Sequence, residues 1–307
     1  MHFRFEGKDV SVGRVLKNAW NDIMNNHTMS MAAGLSYYFV LSLFPLLILA
    51  ASLLPYLPVP NLFDQILSSM SHVVPADSMG LVKRVLASVM KQHQGGLLTV
   101  GILGTIWAAS GGFAGLIEAL NVAYDVPETR PVWKTRLLAI GLMFVIGILL
   151  VVALGVMILG PMLGQWLSNL VGLGPAFMSA WPIVRWAVAG AFTVIGVELL
   201  FFWAPNVKQR FFATLPGAIF GVGFWIGSSY ALGIYFQKFA NYNKTYGVLG
   251  AAVALMVWLY WSWFAILVGA EINSELVKAG GGGRLELKEK PPPAVEPRPA
   301  WEEKPAA

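Results

Sequence analysis

Apolar residues run along this chain in long unbroken stretches separated by short polar ones. Ser30–Leu53, Gly95–Ile117, Leu137–Val184, Phe211–Gln237 and Thr245–Ala270 contain no Asp, Glu, Lys or Arg. A helix crossing the hydrocarbon core of a bilayer needs about 20 such residues. The pattern predicts six spans, at 30–54, 97–121, 137–159, 183–203, 213–236 and 248–272. Pro45 predicts a kink in the first, and Pro55, Pro58 and Pro60 end it, because proline cannot continue the helical hydrogen-bond ladder.

Between the spans the period changes. Val12, Val15, Leu16, Ala19, Trp20 and Ile23 fall at helical spacing, opposite Arg14, Lys17, Asn18 and Asp22. This predicts an amphipathic helix on the membrane surface. Within 55–96, Val82, Val85, Leu86, Val89 and Met90 share a stripe, which predicts an external helical hairpin. Pro161 to Pro182 reads as an apolar, glycine-rich connection with Trp166 and Trp181 at the interface. After Lys278 come four glycines and a charged, proline-rich run, the composition of a disordered tail. The expected organisation is an interface segment at 1–29, a six-helix transmembrane domain at 30–276 with its hairpin at 55–96, and a tail at 277–307.

Composition agrees. The chain is 57% hydrophobic and 12% charged, against roughly 25% charged in soluble domains. Lys and Arg number fifteen in one set of alternating connections and five in the other. That asymmetry predicts N-in, C-in topology. It also gives the net charge of +5 a topological origin rather than a nucleic-acid partner. With no cysteine, disulfides and thiolate metal sites are excluded. No short apolar core with a cleavage site opens the chain, so the first span is expected to direct insertion. His2, His27, His72 and His93 are scattered, and neither a phosphate-binding loop nor a nucleophile elbow occurs. No cofactor, metal or enzymatic activity is expected.

Ionisable groups within spans are the candidate chemistry. Glu118, Glu198 and Glu271 fall in the same third of three outside-to-inside helices, so they are placed to line an inward-facing vestibule. Lys17, Arg130, Lys134, Arg136, Lys208 and Arg210 are the counter-ion candidates. Such a site would bind a monovalent cation, relay protons or hold a lipid headgroup. The alternative is that these glutamates pair with loop arginines and lock the bundle. Arg185, near an outer helix end, reads as a snorkelling anchor. Gly111/Gly115, Gly217/Gly221 and Gly223/Gly227 permit close helix packing, and Ser110-Gly111-Gly112 is a place for a helix to open.

Three stretches carry a resemblance: AAGLSYYFVLSLFPLL (Ala32–Leu47), TIWAASGGFAGLIEALNVAYDVPETRPVWKTR (Thr105–Arg136) and YGVLGAAVALMVWLYWSWFAILVGAEIN (Tyr246–Asn273). In order and spacing they resemble the BrkB/YihY family of bacterial inner-membrane proteins, although Val248 stands where that family often has serine. The resemblance implies a multi-pass inner-membrane protein, of a family linked to virulence and historically also labelled ribonuclease BN. Its motifs place Tyr37, Ser110, Glu118, Asn121, Tyr124, Arg130, Lys134, Glu271 and Asn273 near the cytoplasmic ends of helices. The leading expectation is transport or handling of an envelope lipid or an ion through an inward-opening cavity, with membrane lipids and a monovalent cation as partners. A non-transporting envelope scaffold is the alternative, and a membrane-tethered ribonuclease comes last. The sequence leaves homo-oligomerisation open.

Overall fold

The computed structural model describes residues 2–5, 8–53, 95–172, 175–238, 241–281 and 286–289. A small antiparallel hairpin of β1 (His2–Phe5) and β2 (Lys8–Ser11) comes first. Among the described residues seven α-helices follow: α1 (Val12–Asn25), α2 (Thr28–Leu53), α3 (Gly95–Ala123), α4 (Val132–Val171), α5 (Pro175–Trp203), α6 (Leu215–Lys238) and α7 (Asn241–Gly281). The short strands were absent from the sequence reading, since four residues of alternation give little signal beside runs of twenty.

The fold is that of an all-α polytopic membrane protein. Among the described residues, α3 to α7 each contain a stretch long and apolar enough to cross a membrane: Gly101–Ala123, Val132–Met157, Phe177–Trp203, Leu215–Phe236 and Ala252–Gly280. In lipid the backbone must satisfy its own polar groups, and a helix does so within one segment. The 26-residue α2 occupies the first expected span and remains helical through Pro45. Apart from Gly95 and Gly96, which open α3, the expected external hairpin lies outside the described residues.

The connection expected at 161–182 is corrected by the structure. Helix α4 runs 40 residues to Val171, and α5 begins at Pro175 and continues through Pro182. A proline inside a helix removes one hydrogen bond, but unwinding twenty apolar residues would strand many more backbone groups. Tight pairing of the two helices supports the extension. A Cβ on Gly164 would lie 2.4 Å from the Trp181 ring, and one on Gly160 would lie 2.2 Å from Arg185 Cδ. Trp181 Nε1 donates to the Gly160 carbonyl at 2.6 Å. Arg185, expected as a snorkelling anchor, therefore lays its stem across α4. Gly172, at φ 69°, turns the chain out of α4 in the left-handed conformation that glycine adopts without strain.

Helices pair as α2 with α3, α4 with α5 and α6 with α7, while α2 and α3 also rest on α7. Helix α1 lies across the end of this bundle. Val15, Ala19 and Ile23 are buried there, and Leu16, Trp20 and Met24, one position further round, are exposed. The expected surface helix is thus clasped by protein on one stripe, with an apolar stripe left outward.

Among the described residues, α6 and α7 bring their backbones into direct contact. A Cβ on Gly217 would meet the Gly269 carbonyl oxygen at 2.2 Å, and one on Gly269 would meet the Gly217 carbonyl oxygen at 2.5 Å. At Gly223 nothing lies within 4 Å. Gly217→Ala should therefore cost about 1–3 kcal/mol through overpacking, whereas Gly223→Ala should be neutral or stabilising by up to about 1 kcal/mol. Thermal unfolding of the two variants in detergent checks this; equal losses would argue against the close crossing.

Candidate functional site

The start of α2, the end of α3, the start of α4, the end of α5, the start of α6 and the end of α7 meet at one end of the bundle. Most of the buried polar side chains lie there. The deepest group forms around α6. Thr214 precedes that helix, and Asn273 of α7 caps it: Asn273 Oδ1 accepts from Gly217 N at 2.8 Å, and its Nδ2 donates to the Thr214 carbonyl at 2.5 Å. Such caps satisfy amides that a helix start leaves unpaired. The Thr214 hydroxyl in turn donates to Glu198 Oε1 at 2.6 Å. Glu198 is 1% exposed, and its Oε2 has no hydrogen-bond partner among the described residues. Beside this layer sits Tyr124, wholly buried, with Asn273 and Gln209 approaching its hydroxyl and Glu198 within electrostatic reach. Burial first, and then the Glu198 charge, push the Tyr124 phenol pKa up.

Glu271, also fully buried, faces the opposite way from Asn273, towards the junction of α1 and α2. Its Oε1 accepts from Thr28 Oγ1 at 3.0 Å and from Asn26 Nδ2 at 3.2 Å. Further along α7, Glu275 accepts from Asn18 at 2.7 Å, and Lys278 bridges Glu275 at 2.8 Å and Asp125 at 2.6 Å. These contacts pin α1 and the α3 terminus to the last turns of α7.

A third group seals the loops. Asn121 donates to Glu128 at 2.8 Å and accepts from Asn206 N at 2.8 Å. Arg130 pairs with Glu128 at 2.6 Å and reaches the Ala204 carbonyl at 2.7 Å. Within the segment expected as a tail, residues 286–289 are held against these loops. Leu287 pairs with Val207 in an antiparallel bridge, Lys134 meets Glu289 at 3.0 Å, and Asn206 Nδ2 donates to the Glu289 carbonyl at 3.3 Å. The Lys288 ammonium donates to the carbonyls of Phe202, Trp203 and Pro205 at 2.7, 3.2 and 2.9 Å. It neutralises the negative end of α5, where carbonyls lack helical partners.

Of the residues expected at the site, Glu198, Glu271, Asn121 and Asn273 are brought to this end, buried and hydrogen-bonded. Glu118 is exposed, as is Tyr37. Ser110 is buried further up α3 and returns its hydroxyl to the Trp107 carbonyl at 3.1 Å, within an unbroken helix. The expected counter-ions go elsewhere: Arg130 to Glu128, Lys134 to Glu289, and Arg136 to the Trp107 carbonyl at 3.0 Å and the Trp107 ring at 4.5 Å. The partners recorded for Glu198 and Glu271 are all neutral. Among the described residues Glu198 and Glu271 are shut off from solvent at this end, and no group of three or more His, Cys, Asp or Glu side chains that could hold a metal ion occurs.

Sequence reasoning missed Asn26, Thr28, Asn206, Gln209 and Thr214. Thr214 was legible as the residue before a helix, since Thr-Leu-Pro heads an apolar run with a first-turn proline, although its hydroxyl donates to Glu198 and the Phe211 carbonyl while Asn273 supplies the cap. Asn26, Thr28 and Asn206 carry no local signal, because their partners lie far away in sequence, while Gln209 reaches back to Phe201 in the preceding helix.

The chain matches a family model described as virulence factor BrkB over residues 19–293, a range that takes in the docked 286–289 segment. It is similar to the putative ribonuclease-like protein YfkH of Bacillus subtilis, at 36% identity over 263 residues, covering 86% of this chain and 95% of that protein. It is also similar to a UPF0761 membrane protein of Stenotrophomonas maltophilia, 24% identical over 285 residues, with coverage of 89% and 62%. Another UPF0761 membrane protein, from Rhodospirillum centenum, is 26% identical over 282 residues, with coverage of 89% and 60%. The chain thus spans about three fifths of the length of those two longer relatives. No solved structure matches.

The loop seal has a pH signature. Burial opposes ionisation of Glu128, but hydrogen bonds and charge from Arg130, with help from Asn121, hold its pKa below the usual carboxylate value. A carboxyl with a depressed folded pKa binds fewer protons folded than unfolded, so its stabilisation is present above the unfolded pKa and lost as pH falls through the folded one. Wild type should melt above Glu128→Gln at neutral pH, with the gap closing under acid. A gap independent of pH would contradict this.

Proposed function

The chain belongs to the BrkB virulence-factor family of membrane proteins, and on that premise we propose that it moves an envelope lipid or an ion across the bacterial inner membrane. We place the polar end in the cytoplasm, since the Lys and Arg surplus of its connections follows the positive-inside pattern. In this reading the packed polar end is a closed inner gate, and the inward-opening cavity belongs to the state in which that gate is released.

One observation carries the reading. Glu198 and Glu271 are buried at the end of an apolar bundle with only neutral recorded partners, Thr214 for one and Asn26 and Thr28 for the other. A carboxylate serving only to lock helices together is stabilised by a basic partner, as Glu128 is by Arg130. Unpaired buried carboxylates are costly, and inside membranes they mark paths for cations, protons or polar substrates. The basic side chains that would neutralise them are nearby and engaged with other groups.

The name of the Bacillus subtilis relative raises RNA cleavage. We rank that reading last: hydrolysis needs acid and base groups in reach of both water and substrate, and these two carboxylates are closed off from both. We read the chain as a non-enzyme.

Flux of a labelled lipid or a monovalent cation in proteoliposomes tests transport. Glu198→Gln and Glu271→Gln should each lower flux about tenfold or more, the rate equivalent of one charged hydrogen bond. Glu118→Gln, altering an exposed residue, should leave it unchanged. Full flux in both buried variants would remove the carboxylates from the mechanism.

A further inference from the structure

Three elements each carry a buried oxygen without a recorded partner, and two of these side chains, Gln209 and Glu198, lie next to or within electrostatic reach of the third, Tyr124. Tyr124, directly after α3, is 0% exposed, and its hydroxyl has no hydrogen-bond partner among the described residues. Glu198, near the end of α5, uses Oε1 for Thr214 and leaves Oε2 without a partner. Gln209, in the α5–α6 connection, donates through its amide nitrogen to the Phe201 carbonyl at 2.5 Å, and its buried Oε1 has no partner among the described residues. The Tyr124 hydroxyl has Gln209 beside it and Glu198 within electrostatic reach. Buried polar atoms are overwhelmingly paired in folded proteins, and each orphan costs about 1–3 kcal/mol. Three together point to a ligand rather than to three separate losses.

The donor set names its class. A carboxylate oxygen, an amide oxygen and a phenol oxygen form an all-oxygen set with at most one formal negative charge. Oxygen ligands suit hard cations, and sites for divalent ions usually gather more than one carboxylate. An anion would face the buried Glu198 carboxylate, and Gln209 and Asn273 each already donate one amide hydrogen to a carbonyl. A protein cation is not at hand either: Arg130 is held by Glu128 and the Ala204 carbonyl, and Lys288 by the carbonyls that end α5. We propose that Tyr124, Glu198 and Gln209 bind a dehydrated alkali-metal cation between the end of α3, the end of α5 and the α5–α6 connection. This rests on the reading of Glu198 as a working carboxylate, and it names the ion that group holds whether or not the cargo is itself an ion.

The site also explains a link between the cation and the gate. Glu198 is tied through Thr214 to Asn273 and the start of α6, and Tyr124 follows directly on α3. A cation on their free oxygens ties α3 to α5 at the point where the loop seal closes. Its loss leaves an uncompensated carboxylate that favours separation of those elements.

Thermal unfolding of the full chain in detergent tests the site, with sodium, potassium or lithium chloride titrated against choline chloride at constant ionic strength. One alkali cation should raise the melting temperature saturably. The shift should vanish in Glu198→Gln, its midpoint should move about tenfold or more in Tyr124→Phe, which keeps the buried ring, and it should persist in Glu118→Gln. A shift no greater than that of choline overturns the proposal. So does an undiminished shift in Tyr124→Phe or Glu198→Gln, or stabilisation by acid alone, which would identify a proton or a water as the occupant. A cation shift without flux would sink the transport reading and keep the site, and flux without a cation shift would do the reverse.

Discussion

The polar end depends on one contact, the meeting of the Gly217 and Gly269 backbones where α6 crosses α7. Only with no side chain at either position does α7 come close enough for Asn273 to cap α6. That cap fixes Thr214, Thr214 fixes Glu198, and Glu198 stands beside Tyr124. In lipid, small residues are a main device for close helix approach, because burying apolar surface there gives no driving force. The glycines thus act through the hydrogen bonds they permit. The same α7 segment carries Glu271 and Glu275 on other faces, so the register set by one crossing also places the contacts to α1 and α2.

The architecture was readable because lipid is a strict solvent. A run without charge and about twenty residues long has few fates, and the described helices fall where those runs lie. The exception at 161–182 shows the limit of punctuation by proline. In water a proline flanked by glycines ends a helix cheaply, because the freed backbone finds water. Here Gly160 and Gly164 instead receive Arg185 and Trp181, and the helices continue. A glycine that opens a chain and a glycine that admits a neighbouring side chain are the same letter, and only the partner helix separates them.

For the candidate site the sequence carries depth and, on α3, direction, but not the partners of the basic residues. Placing Glu118, Glu198 and Glu271 in one layer used only distance along each helix. Direction around the helix was available too. At about 100° per residue, Leu116, Leu120, Asn121 and, one position past the end of α3, Tyr124 fall within an arc of about 140°, and Glu118 falls outside it; those four are buried and Glu118 is exposed. What the sequence could not supply was the destination of the basic residues. Arg130 and Lys134 are nearer in sequence to Glu118 than to any other expected site carboxylate, yet Arg130 turns to Glu128 and Lys134 to Glu289, more than 150 positions on. The Lys134–Glu289 pair follows from the folded loops and not from local pattern, whereas Arg130 and Glu128 lie two positions apart.

Those loops give the closed end its cooperativity. Asn206 touches all three strands of the seal: its amide donates to Asn121, its side chain donates to Thr129 at 2.7 Å, and its Oδ1 accepts from Glu289 N at 3.1 Å. The α3–α4 and α5–α6 connections therefore cannot part without releasing the 286–289 segment. Lys288 adds a second hold at the last carbonyls of α5, the helix that carries Glu198. Each hold alone is worth about 1 kcal/mol, or somewhat more where a charge takes part. Broken together, they sum to several such steps. In the transport reading proposed above, a bound ligand's differential affinity overcomes them, acting through polar contacts that an end closed only by apolar packing would not offer.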